Sequence, residues 1–120
     1  MASRRPTATR RRPPAKRRPS PTLTLPEVVS EKQWAAHVVQ LARRRGWAVF
    51  YVHDSRGSPA GWPDVIACRP PRFVVSELKT ERGRLRPEQS MWLALLRACD
   101  GIEVFVWRPS DIRAVEEVLA

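Results

Sequence analysis

The chain has 120 residues, 42% of them hydrophobic, and its 22 Lys and Arg against 12 Asp and Glu give a formal net charge of +10. This length suits one small domain, and no apolar run approaches the roughly 18 residues of a membrane span. Cys68 and Cys99 are far apart in apolar company and form no metal-binding cluster, which argues against a structural zinc site and predicts buried thiols in an intracellular protein.

The excess positive charge is concentrated at the start of the chain. Residues 1–20 contain eight Lys and Arg and no acid. Four prolines and the lack of large apolar residues between Met1 and Leu23 predict a disordered arm over residues 1–25, followed by a folded domain over residues 26–120. Charge alone favours phosphate contacts by this arm, although a solvated, solubilising tail is the alternative. The candidate contacts are Arg10, Arg11, Arg12, Lys16, Arg17 and Arg18.

Helices and short strands follow the arm. Ser30 and Gln33 have the spacing of a capping box and predict a helix over about residues 31–45. β-branched and aromatic residues predict strands over residues 47–52, 65–68, 73–79 and 102–107, with a loop at 53–63 and a mobile polar loop at 80–86.

Two further helices complete the predicted order. Pro87 suits the first turn of a helix over about residues 87–99, and a last helix follows Ser110 or Asp111. The apolar stripe of the former is predicted to be Met91, Trp92, Leu95, Leu96 and Cys99. The order αβββαβα predicts an α/β fold with a single mixed sheet flanked by helices.

Three charged residues stand at the ends of two predicted strands. Asp64 precedes the apolar run 65–68, and Glu77 and Lys79 end the run 73–79 on one face, because side chains alternate along a strand. If these strands pair, the two carboxylates approach each other and can bind Mg²⁺, with the Leu78 carbonyl as a further oxygen and Lys79 beside a water. Taken singly, Asp64 is better explained as a turn residue, and Glu77 with Lys79 as an exposed ion pair; their joint occurrence at two strand ends favours the metal site.

These motifs also carry a resemblance. Gly61-Trp62-Pro63-Asp64, an apolar strand, Glu77-Leu78-Lys79 and a helix that opens Pro87-Glu88-Gln89 are similar to the PD-(D/E)xK nuclease superfamily. More specifically, residues 30–108 resemble the small VRR-NUC domains, found alone in phages and fused at the end of a Fanconi-associated nuclease. The resemblance implies a restriction-endonuclease-like core, dependence on Mg²⁺ or Mn²⁺, and cleavage of branched or flap DNA. It also implies a homodimer, because standalone members are similar to Holliday-junction resolvases.

The resemblance assigns roles to individual residues. It makes Asp64 and Glu77 metal ligands, Lys79 the catalytic lysine and Gln89 a helical glutamine beside the site. Glu31 matches an acid that completes the metal shell in many relatives. The alternatives are a favourable N-terminal helix charge for Glu31 and an exposed helical position for Gln89.

Phosphate contacts in the folded domain are expected from basic residues near the predicted turns and loops. Arginine is suited to this role because it donates two hydrogen bonds at once, although a solvated rim is the alternative. Trp62 either stacks on an unpaired base or packs internally. The candidates are His53, Arg56, Arg69, Arg72, Arg82, Arg84 and Arg86.

The function predicted from the sequence is a metal-dependent DNA endonuclease selective for DNA structure, because no helix is offered for base reading. We expect it in a bacterial host, encoded by the host or by a phage, without a membrane role. A DNA-binding protein that keeps the nuclease fold without turnover is the main alternative, and a small interaction module that recruits an acidic partner is another.

Overall fold

The computed structural model describes residues 29–52 and 57–120, so the basic arm, His53 and Arg56 lie outside the described residues. Three helices and four strands follow in the predicted order, which confirms the α/β prediction. No helix in these two ranges is long and apolar enough to cross a membrane. The elements are α1 (Glu31–Arg44), β1 (Ala48–Tyr51), β2 (Val65–Arg69), β3 (Arg72–Leu78), α2 (Pro87–Arg97), β4 (Ile102–Trp107) and α3 (Ile112–Leu119).

The four strands form one mixed sheet in the order β1-β2-β3-β4. β1, β2 and β3 are successively antiparallel, whereas β4 runs parallel to β3 after the crossover through α2. In the β2–β3 hairpin, Val65 pairs with Ser76 at one end and Arg69 pairs with Arg72 at the other. The start of β2 and the end of β3 therefore meet at the end of the sheet opposite the Arg69–Arg72 turn.

α1 and α3 cover one face of the sheet. Ser30 and Gln33 form the predicted capping box, with Gln33 N donating to Ser30 Oγ at 3.1 Å. The indole of Trp34, fully buried, donates to the Trp107 carbonyl at 3.0 Å, and the indole of Trp47 donates to the Leu119 carbonyl at 3.0 Å. Both indoles therefore bury a large apolar area without an unpaired N–H.

α2 covers part of the opposite face, and its orientation corrects the predicted stripe. The buried residues of α2 are Gln89 and Leu93, whereas Met91 and Leu95 are exposed. The helix ends at Arg97, so Cys99 lies beyond it and is exposed, while Cys68 is partly buried. The prediction of two buried thiols was therefore wrong for Cys99.

Candidate active site

The turn before β2 fixes where Asp64 stands. Gly61 has φ +87°, and a Cβ built on it would lie 2.5 Å from the backbone carbonyl of Glu88, so only glycine fits at this position. The turn consequently lies directly on the first turn of α2. Beyond it, Pro63 is buried, and the Asp64 carbonyl accepts a hydrogen bond from Val52 N at 2.9 Å.

The Asp64 and Glu77 carboxyl groups meet at the end of the β2–β3 hairpin. The two groups interact directly, since each affects the pKa of the other, and Leu78 N donates to Asp64 Oδ2 at 2.9 Å. Burial and the charge of Asp64 raise the pKa of Glu77 to about 8. Burial also raises the pKa of Asp64, partly opposed by the Leu78 N–H. Two acids held this close and this deep oppose each other's ionisation.

Gln89 and Lys79 complete the surroundings of Glu77. Gln89 Nε2 donates to Glu77 Oε2 at 2.9 Å, while Gln89 Oε1 accepts from Arg86 N at 2.9 Å, which joins the site to the start of α2. Lys79 Nζ lies 3.5 Å from the same Glu77 oxygen. The three side chains are almost entirely buried, with Glu77 only 2% exposed. Gln89 is thus an internal residue rather than an exposed helical one.

One buried oxygen at this site has no hydrogen-bond donor. Within the described ranges, no N–H or hydroxyl group reaches Glu77 Oε1, although the atom is inaccessible to solvent. A buried carboxylate oxygen without a donor is costly. A cation would satisfy it, and it would also remove the repulsion between Glu77 and Asp64.

The main-chain amide and carbonyl of Leu78 lie on the side of β3 that faces Asp64. Leu78 pairs with Trp107 in the parallel ladder, where Lys79 N, rather than Leu78 N, donates to the Trp107 carbonyl at 3.0 Å. The amide and carbonyl of Leu78 are therefore directed to the opposite side of β3, where its N–H meets Asp64. Two carboxylates and a main-chain carbonyl are the oxygen ligands that a divalent cation such as Mg²⁺ accepts.

Glu31 stands apart from this pair. It lines the same cavity as Asp64 and Glu77, of about 450 Å³, and its charge contributes to the raised pKa of Asp64. Among the residues that the structure describes, however, no group of three or more His, Cys, Asp or Glu side chains is close enough to hold a metal ion. Glu31 is exposed at the first turn of α1.

The loop after Lys79 is tied down, contrary to the mobility predicted for it. Arg108 Nη1 donates to the carbonyls of Thr80 and Gly83 at 2.7 and 2.6 Å. Ser110 donates to the Glu81 carboxylate through both its N–H and its hydroxyl. A Cβ on Gly83 would lie 3.5 Å from Lys79 Cδ, so the tied loop also lies against the alkyl chain of Lys79.

The basic residues proposed to bind phosphate divide between the two ends of the sheet. Arg82, Arg84 and Arg86 are exposed on the tied loop, and Arg86 lines the cavity of the carboxylates. Trp62 lines that cavity too and packs edge-on against Trp92, with ring centroids 5.1 Å apart.

Arg69 and Arg72, two of the predicted phosphate contacts, flank the turn of the β2–β3 hairpin at the end of the sheet away from the carboxylates. Arg69 donates to the carbonyls of Arg45 and Ala120, each at 2.8 Å. Arg72 forms a two-bond pair with Glu103, at 2.8 and 2.7 Å. Both guanidinium groups stack on the Trp47 ring, at 4.6 and 5.0 Å from its centroid. Their hydrogen-bond donors therefore serve the fold.

Comparison with known proteins identifies the family of the chain. The family model of the VRR-NUC domain matches residues 4–111. The chain belongs to the VRR-NUC family. It is therefore a nuclease-type domain, whose family implies DNA as the substrate, and the match begins earlier than the predicted residues 30–108. Searches of curated proteins and of solved structures gave no match.

Sequence reasoning missed two features of this VRR-NUC domain. Arg108 was not singled out, because an arginine after a strand carries no signal of three carbonyl acceptors in a distant loop. The polar face of α1 formed by Lys32, Gln40 and Arg43, which lines a second cavity, was also overlooked. Its signal was present, since the spacings of eight and eleven residues place all three on one helix face.

Proposed function

We propose that this VRR-NUC chain is a metal-dependent DNA endonuclease that cleaves branched or flapped DNA. The observation that supports it best is the buried Asp64–Glu77 pair, in which one Glu77 oxygen has no donor and Lys79 lies alongside. Burying two acids side by side costs folding free energy, and a functional need for the pair would explain why the chain retains it. Perturbed acids lining a cavity are typical of catalytic sites.

Each residue then has a distinct task. Mg²⁺ or Mn²⁺ bound by Asp64, Glu77 and the Leu78 carbonyl would supply an activated water and positive charge at the scissile phosphate. Gln89 holds Glu77 in orientation through its 2.9 Å hydrogen bond. Lys79 holds an ammonium group beside Glu77, where it can stabilise negative charge on the phosphate or hold the attacking water. Glu31 is a candidate for a further ligand, since it lines the same cavity.

Selectivity for DNA structure follows from the kind of contact that the site offers. The exposed cations beside the cavity, Arg82, Arg84 and Arg86, suit phosphate groups, which carry no base sequence. We therefore propose that the shape of the DNA decides which bond is cut, and the preference for branched DNA comes from the family resemblance. His53, Arg56 and the basic arm stay candidates for further phosphate contacts and lie outside the described residues.

A cleavage panel tests the function. Labelled Holliday junction, flap, single-stranded and duplex DNA are incubated with the protein in Mg²⁺, Mn²⁺ or EDTA. We expect cleavage of the branched substrates with either metal and none in EDTA. Asp64→Asn and Lys79→Met should each lower the rate at least about 100-fold and still bind DNA, whereas Glu117→Gln on the exposed face of α3 should cut normally.

The negative outcomes of this panel are informative. Binding to DNA without cleavage of any substrate would favour the non-catalytic DNA-binding alternative. Equal cleavage by wild type and Asp64→Asn would show that the carboxylate pair is not the active site. Absence of both binding and cleavage would favour the interaction module.

We further propose a homodimer formed through the sheet face that α2 leaves uncovered. Phe50 and Phe73 on this face are exposed, as are Met91 and Leu95 on α2. Resolving a four-way junction takes two cuts, and a two-fold axis supplies two sites. Light scattering should give twice the chain mass for the wild type and the monomer mass for Phe50→Glu/Leu95→Glu. A monomeric wild type at micromolar concentration would exclude this dimer.

A further inference from the structure

Two more cavities extend the active-site cavity along α1. The first, of about 510 Å³, is lined by Glu31, Trp62 and Asp64, which also line the active-site cavity, and by Lys32 and Tyr51. The second, of about 420 Å³, shares Lys32 and Tyr51 with the first and reaches Arg43 near the end of the helix. Because neighbouring cavities share lining residues, the three lie in series from the carboxylates to the last turn of α1, and we call them together the trench.

The far part of this trench, which we call the α1 groove, combines an apolar floor with cationic rims. Ala35, Ala36 and Val39 form the floor, and exposed Lys32, Gln40 and Arg43 form the rim. No acid lines it. In the described part of the chain, neither Lys32 nor Arg43 pairs with a carboxylate, and the Gln40 side chain makes no hydrogen bond. The groove thus offers unused donors and uncompensated positive charge to a polyanion.

From this geometry we infer that the α1 groove binds the single-stranded DNA that continues from the scissile phosphate. The inference deepens the proposed nuclease function and rests on it. Each cavity has the size of a small-molecule pocket, which is enough to hold about one or two nucleotides of a single strand. Aromatic rings of Trp62 and Tyr51 line the middle of the trench, as in other grooves that bind single strands.

Charge also decides against the nearest alternative occupant. The basic arm of the same chain, with eight Lys and Arg in residues 1–20, would be repelled by Lys32 and Arg43. The length of the trench sets the length of the bound strand. From Glu31 to Arg43 α1 rises about 18 Å, which corresponds to about five nucleotides at 3.4 Å each.

Binding measured without cleavage tests the inference. Fluorescence anisotropy in EDTA is recorded for the full chain with flap DNA whose single strand is 0, 2, 5 or 10 nucleotides long. We expect wild-type affinity to rise up to about five nucleotides and then level off. Lys32→Gln/Arg43→Gln should lose about ten-fold in affinity for the five-nucleotide flap and nothing without a flap. Its slope of log affinity against log salt should fall by about 1.4, at about 0.7 per phosphate contact.

Arg44→Gln is the matched control, because Arg44 is the adjacent exposed arginine and lines none of the three cavities. An equal loss in Arg44→Gln, or a loss independent of flap length, would overturn the groove. Wild-type affinity for flap DNA in Lys32→Gln/Arg43→Gln would also overturn the inference. The groove would then be a candidate site for a peptide partner instead. A wild type that binds in this length-dependent way yet cuts with neither Mg²⁺ nor Mn²⁺ would refute the nuclease function and leave the groove standing.

Discussion

At the scale of single residues, Gly61 couples two parts of the site. It has no side chain to hold the turn away from α2, so the segment carrying Asp64 lies on the backbone of Glu88 and Gln89. Asp64 and Gln89 approach Glu77 from these two segments. The spacing of Asp64, Glu77 and Gln89 therefore depends on a contact in which no functional group takes part.

Gly61→Ala should destabilise the protein more than Gly101→Ala does. Both glycines have positive φ, +87° and +81°, but only Gly61 faces a backbone at 2.5 Å, whereas nothing lies within 4 Å of a Cβ on Gly101. The shared left-handed strain costs about 1 kcal/mol, and overpacking at Gly61 adds about 2 kcal/mol. Urea unfolding of the two variants measures the difference, and equal destabilisation would contradict the close approach.

Arg108 should be a positioning residue for Lys79. Arg108→Met removes the donors to the Thr80 and Gly83 carbonyls, which we expect to cost on the order of 2 kcal/mol and to release the loop that lies against Lys79. The turnover number should fall at unchanged metal affinity and nearly unchanged KM. Arg113→Met, an exposed arginine of α3, is the control, and wild-type turnover in Arg108→Met would refute the role.

At the scale of elements, the sequence predicts boundaries better than orientation. The capping box of α1 and the strand pattern of β4 are local, so both elements were found with nearly the observed bounds. The buried face of α2 is not local. Periodicity favoured Met91 and Leu95, but Gln89 is drawn inward by the hydrogen bond to Glu77, which turns those two residues outward.

The hairpin shows what pairing alone could have predicted. The convergence of Asp64 and Glu77 follows from antiparallel β2 and β3 and was expected. The same pairing necessarily sends the Arg69–Arg72 turn to the other end of the sheet, so their distance from the site was implicit in the sequence. The hydrogen bonds from Arg108 to the loop after Lys79 could not be predicted from the sequence. Their acceptors are backbone carbonyls, which every residue has and which therefore leave no signal in the sequence.

His37 should make folding sensitive to acid through the α1–α3 packing. The ring stacks on Trp34 at 6.0 Å and its buried Nε2 has no partner among the described residues. Burial lowers its pKa below 6.5, with Arg44 acting in the same direction and Glu116 opposing. The unfolded chain therefore binds the proton first, so stability is lost as pH falls below 6.5.

Thermal unfolding between pH 5 and 7.5 measures this effect. The melting temperature of the wild type should drop more steeply below pH 6.5 than that of His37→Gln, which has no imidazole to protonate. Parallel curves for the two proteins would show that His37 is not the group responsible.

At the scale of the whole molecule, the net charge of +10 is mainly a property of the first 20 residues. Replacing their eight Lys and Arg with Ser should flatten the salt dependence of DNA binding by about 0.9 in log–log slope for each phosphate that the arm no longer neutralises. The cleavage rate at saturating DNA should stay within about two-fold, because the carboxylates lie in the folded domain. An unchanged slope in a salt titration would make the arm a solubilising tail.

The guanidinium groups of Arg69 and Arg72 stack on the ring of Trp47, and Arg72 also joins β3 to β4 through its hydrogen bond to Glu103. The hairpin is thus clamped at its turn, while the ends of β2 and β3 that bear the acids also contact α2, through the Gln89–Glu77 hydrogen bond and the close approach of Gly61 to Glu88. The pairing of β2 with β3, which brings Asp64 to Glu77, is therefore secured by side-chain contacts at the opposite end of the sheet from the two acids.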